Sequence, residues 1–295
     1  MVKVKEKIEL QIPILAILLI LPLFTNFYYF WLFTLASIFA SYTLSWYLME
    51  KFCGRTSLGH TLPFGLTAYL SAIAYFFNYP LQLLPLVALI VALLSTFIFY
   101  ITSMLDRVKF VFATFLYSVL LWEIAPFIVL KKDILYGGEE GFSIALIPPN
   151  IIYILSSTLL IAVFVFTILL HKSSLGLKMM AVRDDEEAAL AIGIDVKRIK
   201  LLNSFISSLF TSFAGLIYIL HFSHIDPDVF SVENAIFPFI ASVFAGNFVT
   251  PVLGSYLLIF ASKALNTISP QFHLVLYALL LIISPKLRRI SNAHS

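Results

Sequence analysis

Residues 171–200 read HKSSLGLKMMAVRDDEEAALAIGIDVKRIK, and this stretch, here called the island, is strongly charged in a chain that is otherwise mostly apolar. Eleven of its thirty residues are Lys, Arg, Asp or Glu, whereas charged residues make up 12% of the whole chain and hydrophobic residues 61%. A charge at the centre of a bilayer costs about 3 kcal/mol on insertion scales. The island is therefore expected to lie in water beside a membrane-embedded body.

Apolar runs on both sides of the island have lengths typical of membrane helices, which need about 20 residues to cross a bilayer. The sequence predicts an all-α, polytopic integral membrane protein with 8–10 transmembrane or re-entrant helices, in which residues 1–295 form one transmembrane domain. The count falls to eight if the eighth and ninth segments form one re-entrant pair. The ten predicted segments are 10–24, 27–49, 58–79, 81–103, 109–130, 150–170, 201–221, 233–247, 251–266 and 271–285.

When these segments are assumed to cross the membrane in alternating directions, most basic residues fall on the same side of it. With a cytoplasmic N-terminus, 16 Lys and Arg residues fall inside and three, Lys131, Lys132 and Lys263, fall outside. This distribution follows the positive-inside rule. Both termini and the island are therefore predicted to be cytoplasmic, in a multi-pass protein of the plasma membrane.

Several function classes are excluded by what the sequence lacks. It contains no concentrated basic face for nucleic acid, and the single Cys53 excludes an internal disulfide. There is no P-loop, HExxH or Gly-x-Ser-x-Gly pattern, so the chain is not expected to hydrolyse ATP or to act as an enzyme. His221 and His224, near Asp226 and Asp228, have a spacing that permits metal ligation, but such helix-end residues are usually solvated. We predict no catalytic residue and no metal site.

The island contains signals for a short helix with defined ends. Asp184 or Asp185 can cap its N-terminus, negative charge is favoured in its first turn, and Gly193 can adopt the left-handed conformation that ends it. These signals predict a helix of about eight residues, roughly 12 Å long, suited to docking in a groove of another protein. The alternative is a plain interfacial helix. The docking residues proposed on this basis are Asp184, Asp185, Glu186, Glu187, Ala188, Ala189 and Gly193, with the apolar side formed by Ala188, Leu190, Ala191 and Ile192.

Polar residues and glycines inside the apolar segments are candidates for a transport pathway. Glu123 is a carboxylate within an apolar run, about 10 Å from the expected outer end of its helix. It is predicted either to face a cavity or to hydrogen-bond a neighbouring helix. Ser57, Gly59 and His60 interrupt the start of segment 58–79, either as a discontinuous helix facing a cavity or as close helix packing.

Several motifs, in the same order along the chain, resemble a family of transporters. Glu187-Ala188-Ala189 followed by Gly193 resembles the EAA motif of ABC-importer permeases. Residues 54–60, GRTSLGH, are similar to the early signature of branched-chain amino acid permeases of the LivM/LivH type. Residues 137–141, GGEEG, resemble the family's glycine loop, and residues 225–230, IDPDVF, resemble its next external turn.

The resemblance implies a permease subunit of an ATP-binding-cassette importer for branched-chain or related amino acids. The island, as a coupling loop at 171–200, would contact one of two ABC ATPase subunits, which hold the ATP and Mg²⁺; no cofactor is expected in this chain. A second permease subunit, LivH-like or a second copy, and an extracytoplasmic solute-binding protein would complete the assembly. The glycine loop adds Gly137 and Gly138 to the predicted pathway residues Ser57, Gly59, His60 and Glu123.

Three alternatives stay open. The family's glycine-rich segment near residues 245–251 is reduced here, so a permease of the same family specific for urea or short amides fits the sequence as well. A proton-coupled secondary transporter would use Glu123 as its proton site. A membrane-embedded enzyme would need a polar cluster on facing helices.

Overall fold

The structure is a computed structural model that describes residues 11–131, 135–243, 247–267, 269, 272, 274–280 and 282. Several sequence predictions fall outside these residues. They concern the basic residues of the two ends of the chain, Lys132, and the predicted glycine-rich segment at residues 245 and 246.

Helices dominate the described residues, which confirms the predicted all-α polytopic class. The helices are α1 (Gln11–Ile20), α2 (Phe27–Cys53), α3 (Thr61–Phe76), α4 (Leu84–Thr102), α5 (Arg107–Ile124), α6 (Pro149–Lys172), α7 (Ser174–Asp184), α8 (Glu186–Ala191), α9 (Val196–Phe222), α10 (Val232–Ala241) and α11 (Thr250–Asn266).

The described loops contain two small antiparallel sheets. Strand β1 (Val129–Lys131) pairs with β2 (Leu135–Gly137), with Val129 opposite Gly137. Strand β3 (Phe142–Ser143) pairs with β4 (His224–Ile225), with Phe142 opposite Ile225. Short 3₁₀ turns flank them at Ala125–Phe127, Gly138–Glu140 and Pro227–Phe230.

Five helical stretches of the described chain are long and apolar enough to cross a membrane. They are Phe27–Cys53, Leu81–Thr102, Arg107–Phe127, Pro149–Lys172 and Val196–Phe222. Helix α10, with 10 residues, is about 15 Å long, half of a hydrocarbon core of about 30 Å.

Helix α9 runs between two opposite faces of the molecule. Helix α9 starts in the island and ends beside β4, and its 27 residues extend about 40 Å. We call the two ends the island face and the hairpin face. Helices α10 and α11 form an antiparallel pair. A Cβ on Gly254, near the start of α11, would collide with the carbonyl of Ala241 at the end of α10. That the pair is re-entrant stays a prediction.

Helix α2 is the centre of the bundle, and it packs against α6, α9, α10 and α11. Its membrane-length window is completely buried. Ser37 and Ser41 are buried in it because their hydroxyls donate to the carbonyls four residues earlier, which satisfies them within the helix. Ser45 and Thr211 share a hydrogen bond of 2.7 Å that joins α2 to α9.

The structure differs from the sequence analysis at three places. The segment 109–130 is not one helix: α5 ends at Ile124, and the chain then forms a 3₁₀ turn containing Pro126 and strand β1. Helix α7 was not anticipated, and α8 has six residues instead of about eight. The extra length was assigned because Asp184 and Asp185 are both good caps, but Asp184 ends α7 and Asp185 alone separates the two helices.

Candidate functional site

Helix α8 has the predicted ends. The Asp185 carboxylate accepts hydrogen bonds from the backbone N–H groups of Glu187, at 2.9 Å, and Ala188, at 3.0 Å. At the other end Gly193 has a φ of +84°, and Ile194 N–H donates to the carbonyl of Ala189 at 3.0 Å. These are the side-chain cap and the left-handed terminator that define a helix too short to persist on propensity alone.

The outer side of α8 is apolar and exposed. Leu190 is 58% exposed and Ile192 75% exposed, and Ala188 and Ala191 are also exposed. Ala189 is the buried residue of the helix and packs against the body of the protein. The apolar side predicted from the sequence therefore points away from the protein, as a docking surface requires.

Glu186 points the other way and joins α8 to the bundle. Its Oε1 lies 2.7 Å from Nη2 of Arg55, and its Oε2 lies 2.6 Å from Nζ of Lys200. The Arg55 and Lys200 side chains are only 5% and 6% exposed. Arg55 also donates to the carbonyl of Leu105 at 2.6 Å. The Glu186 carboxylate thus connects the α2–α3 loop to the start of α9, and Arg55 extends the connection to the α4–α5 loop. We call Arg55, Glu186 and Lys200 the anchor triad.

The anchor triad keeps Glu186 ionised. Partial burial raises the pKa of the Glu186 carboxyl, but the hydrogen bond and charge of Lys200 and the charge of Arg55 outweigh burial, and the pKa lies below its ordinary value. Sequence reasoning assigned Glu186 to the docking surface and missed both partners.

A second group of contacts joins α7 to the last turn of α2 and to the first residue of α5. Arg183 donates from Nη1 to the carbonyl of Lys51 at 2.9 Å, and Arg107 donates to the carbonyl of Arg183. Arg183 also pairs with Asp184 at 2.8 Å. Three of the stretches that alternation placed on one side of the membrane therefore meet on the island face.

Ser57, Gly59 and His60 precede α3 in a non-helical stretch packed against α5. A Cβ on Gly59 would collide with the carbonyl of Thr114, so only glycine permits this approach. The Thr114 hydroxyl accepts from Leu58 N–H at 3.1 Å, and Ser118 donates to the Leu58 carbonyl at 2.9 Å. Residues 54–60 are the connection between α2 and α3, and the described contacts around it are close packing. The pathway role of Ser57, Gly59 and His60 stays a prediction.

His60 is fully buried and hydrogen-bonded to α9. Its Nε2 lies 2.7 Å from the hydroxyl of Ser207, which donates its own proton to the carbonyl of Ser45 at 2.8 Å. Nε2 must therefore be the nitrogen that carries the proton, and Nδ1 has no hydrogen-bond partner within the described residues. The ring stacks on Phe99 with centroids 5.2 Å apart.

The glycine loop forms the hairpin face. Gly137 has a φ of +95°, and a Cβ there would collide with the carbonyl of Ile128. Gly138 also has a positive φ, of +68°. Both residues shape the turn between β2 and the strand pair β3–β4. Their role in a transport pathway stays a prediction.

Glu123 lies in the last turn of α5 and is exposed, close to the hairpin face rather than deep in the apolar run. The predicted depth was wrong because α5 ends one residue later. The neighbouring Trp122 donates to Asp228 at 3.3 Å, at the edge of a cleft of about 330 Å³ that Glu139 and Asp226 also line.

The two histidines considered for metal ligation have different surroundings. His221 stacks on Trp31, with ring centroids 4.7 Å apart. His224 is exposed, and its Nδ1 lies 2.9 Å from the hydroxyl of Ser143 in the neighbouring strand.

Comparison with known proteins matches the chain to one family and to two relatives of the same name. The family described as "Branched-chain amino acid transport system / permease component" matches residues 28–285. The chain is 30% identical over 142 residues to the "High-affinity branched-chain amino acid transport system permease protein LivM" of Escherichia coli (strain K12) and, to the same extent, to the protein of that name from Salmonella typhimurium (strain LT2). The alignments cover 48% of this chain and 28% of each relative's length.

No solved structure gives a significant match. The family match covers most of the chain, including all five membrane-length helices apart from the first residue of α2. The chain therefore belongs to the family of permease components of branched-chain amino acid transport systems.

Proposed function

We propose that the chain is the permease subunit of an ATP-binding-cassette importer that moves branched-chain or related amino acids across the plasma membrane. Two separate ATPase subunits would dock on the island face and hold ATP and Mg²⁺. A second permease subunit, LivH-like or a second copy, would pair with this chain. A solute-binding protein would deliver the amino acid to the hairpin face, with both termini of the chain on the cytoplasmic side.

The observation that carries this proposal is the construction of α8. Its exposed side is apolar at Leu190 and Ile192, whereas its opposite side is joined to the bundle by the anchor triad. A mere connecting helix would not need an apolar outer side together with charges buried beneath it. A partner bound to the outer side of α8 can therefore transmit its movement to the bundle through Glu186.

The anchor triad supplies a route for this motion. Lys200 belongs to α9, the helix that extends from the island face to the hairpin face and packs against α2, α3 and α4. A displacement of α8 that moves Glu186 would displace the start of α9 with it. The energy must come from the different affinities of ATP for the open and closed arrangements of the ATPases.

The test begins with purification of the chain with its partners from the native membrane and identification of those partners by mass spectrometry. The complex is then reconstituted in vesicles, and amino acid uptake and ATP hydrolysis are measured together. Gly193→Val and Gly193→Asn form a matched pair. No atom lies within 4 Å of a Cβ at this position, so the two variants differ in how well each side chain tolerates the left-handed φ and not in steric contacts.

We expect Gly193→Val to reduce uptake per ATP about tenfold, because a left-handed φ costs an ordinary L-residue roughly 1–2 kcal/mol and a β-branched one more. Gly193→Asn should retain coupling, because Asn tolerates this conformation. Glu187→Lys, which reverses a charge on the exposed first turn, should also uncouple. Unchanged uptake per ATP in both Gly193→Val and Glu187→Lys would contradict the assignment of α8.

The same vesicles separate the alternatives. Uptake that collapses with a protonophore, persists without any ATPase and is lost in Glu123→Gln would indicate a proton-coupled transporter. ATP-dependent uptake of urea or a short amide in place of an amino acid would keep the importer and change its substrate.

A further inference from the structure

A cavity of about 160 Å³ lies between α2, α9, α10 and α11, in the half of the bundle next to the hairpin face. Leu35 and Phe39 line it about 12 and 18 Å along α2 from its first residue. Glu233, in the first turn of α10, and Lys263, in the last turn of α11, also line it. The cavity is smaller than the roughly 300–1,000 Å³ of drug-sized sites, which restricts it to a small ligand.

One wall of the cavity is apolar and held in place by ring contacts, and the rest of the lining carries the polar groups of Asn234, Ser262, Asn266 and Tyr277 beside the two charged residues. The Phe39 and Phe237 rings have centroids 4.7 Å apart, and those of Phe39 and Tyr218 are 6.0 Å apart. Ile259 of α11 completes the aliphatic part of the lining. Such a surface binds an aliphatic group by removing both surfaces from water.

Two opposite charges line the same small cavity, which is an unusual combination in an apolar bundle. Lys263 is only partly exposed, and its Nζ lies 5.5 Å from the centre of the Trp31 ring, which positions the ammonium group by a cation–π contact. Glu233 supplies a carboxylate from α10, and its backbone position is set by the Ser231 cap, which accepts from Asn234 N–H. A cavity with one carboxylate, one ammonium group and an aliphatic wall is complementary to a dipolar ion with an apolar substituent.

We propose that this cavity is a binding site for an α-amino acid with an aliphatic side chain. The α-ammonium group would lie toward Glu233, the α-carboxylate toward Lys263, and the side chain against Phe39, Phe237 and Ile259. The inference rests on the proposed function and deepens it, because it assigns the substrate site to residues that the sequence motifs do not include.

The experiment uses the reconstituted complex and three ligands: leucine, 4-methylpentanoate, which lacks the ammonium group, and 3-methylbutylamine, which lacks the carboxylate. Leucine uptake is measured, and the other two compounds are tested as inhibitors. Glu233→Gln and Lys263→Met remove one charge each. Asp106→Asn and Lys109→Met are the matched controls, because these residues form an exposed ion pair of 2.8 Å on the island face.

We expect Glu233→Gln to weaken leucine recognition about tenfold or more while leaving inhibition by 4-methylpentanoate unchanged, since a hydrogen bond to a charged group is lost only for ligands that carry the ammonium. Lys263→Met should likewise weaken leucine recognition and leave inhibition by 3-methylbutylamine unchanged, because that compound has no carboxylate. Glu233→Asp and Lys263→Arg should partly restore leucine recognition. If Glu233 and Lys263 only supported the fold, each variant would change recognition of all three ligands equally.

The failures of the two proposals can be told apart. ATP-driven leucine uptake that is equal in wild type, Glu233→Gln and Lys263→Met would overturn the site and leave the proposed function standing. An equal effect of each variant on all three ligands would also overturn the site. A wild-type complex that moves no amino acid would overturn both.

Discussion

Replacing Glu186 by Gln tests the anchor triad. The substitution keeps the size of the side chain and removes its charge, so Arg55 and Lys200 lose their common counter-charge. The adjacent Glu187→Gln is the matched control, since Glu187 is in the same helical turn and exposed. Both variants keep the Asp185 cap, whose carboxylate accepts from backbone N–H groups only.

The size of the effect follows from burial. Breaking a buried ion pair from one side costs about 3–5 kcal/mol because an uncompensated charge remains. Arg55 and Lys200 are nearly inaccessible, but Glu186 is 33% exposed, so water screens part of the interaction and the lower limit, about 3 kcal/mol, applies. A loss of about 3 kcal/mol corresponds to an increase of roughly 100-fold in the population in which α8 is detached.

Hydrogen exchange of the permease in detergent or nanodiscs measures this population. The reporting amides are those of Ala189, Ile192 and Ile194, which donate to carbonyls within the α8 segment. We expect them to exchange about 100-fold faster in Glu186→Gln and at the wild-type rate in Glu187→Gln, because exchange requires local opening. Rates within threefold of wild type in Glu186→Gln would show that the triad does not hold α8.

Two further predictions follow from the same structure. Because the pKa of Glu186 is lowered in the folded protein, the stability that its charge contributes is complete above the ordinary Glu pKa of about 4.3 and is lost as the pH falls through the lower folded pKa. Exchange of the α8 amides should therefore accelerate over that acidic range in wild type, and this acceleration should be absent in Glu186→Gln. Gly215→Ala should lower the free energy of unfolding by about 1–3 kcal/mol, since its Cβ would collide with the Phe64 carbonyl where α9 crosses α3. Equal melting temperatures of wild type and Gly215→Ala would contradict this contact.

The sequence predicted α8 well because its signals are local. The Asp185 cap and the Gly193 terminator act within one or two turns, so spacing alone located the helix and its exposed apolar side. Helix α7 was missed although Ser173 caps it and Gly176, Met179 and Val182 recur at a spacing of three on its buried side. The high charge of the surrounding island concealed that pattern.

Longer-range features could not be predicted in this way. The pairing of Glu186 with Arg55 joins residues 131 positions apart and depends on how three loops meet. Strands of two or three residues are too short to show an alternating pattern, so β1–β4 left no signal. The depth of Glu123 was misjudged because residues 125–130 are apolar enough for a helix, yet they form a turn and a strand.

Cross-linking from the exposed side of α8 in native membranes tests directly whether this helix contacts an ATPase. Ile192→Cys places a thiol at a position that is 75% exposed, and the natural Cys53 is buried at 2% and should not react. With a short thiol-reactive photo-cross-linker, we expect an adduct between this chain and an ATP-hydrolysing subunit, with a yield that changes when ATP is added. If no adduct with another protein forms, or if the partner has no ATPase activity, α8 does not couple the permease to ATP hydrolysis.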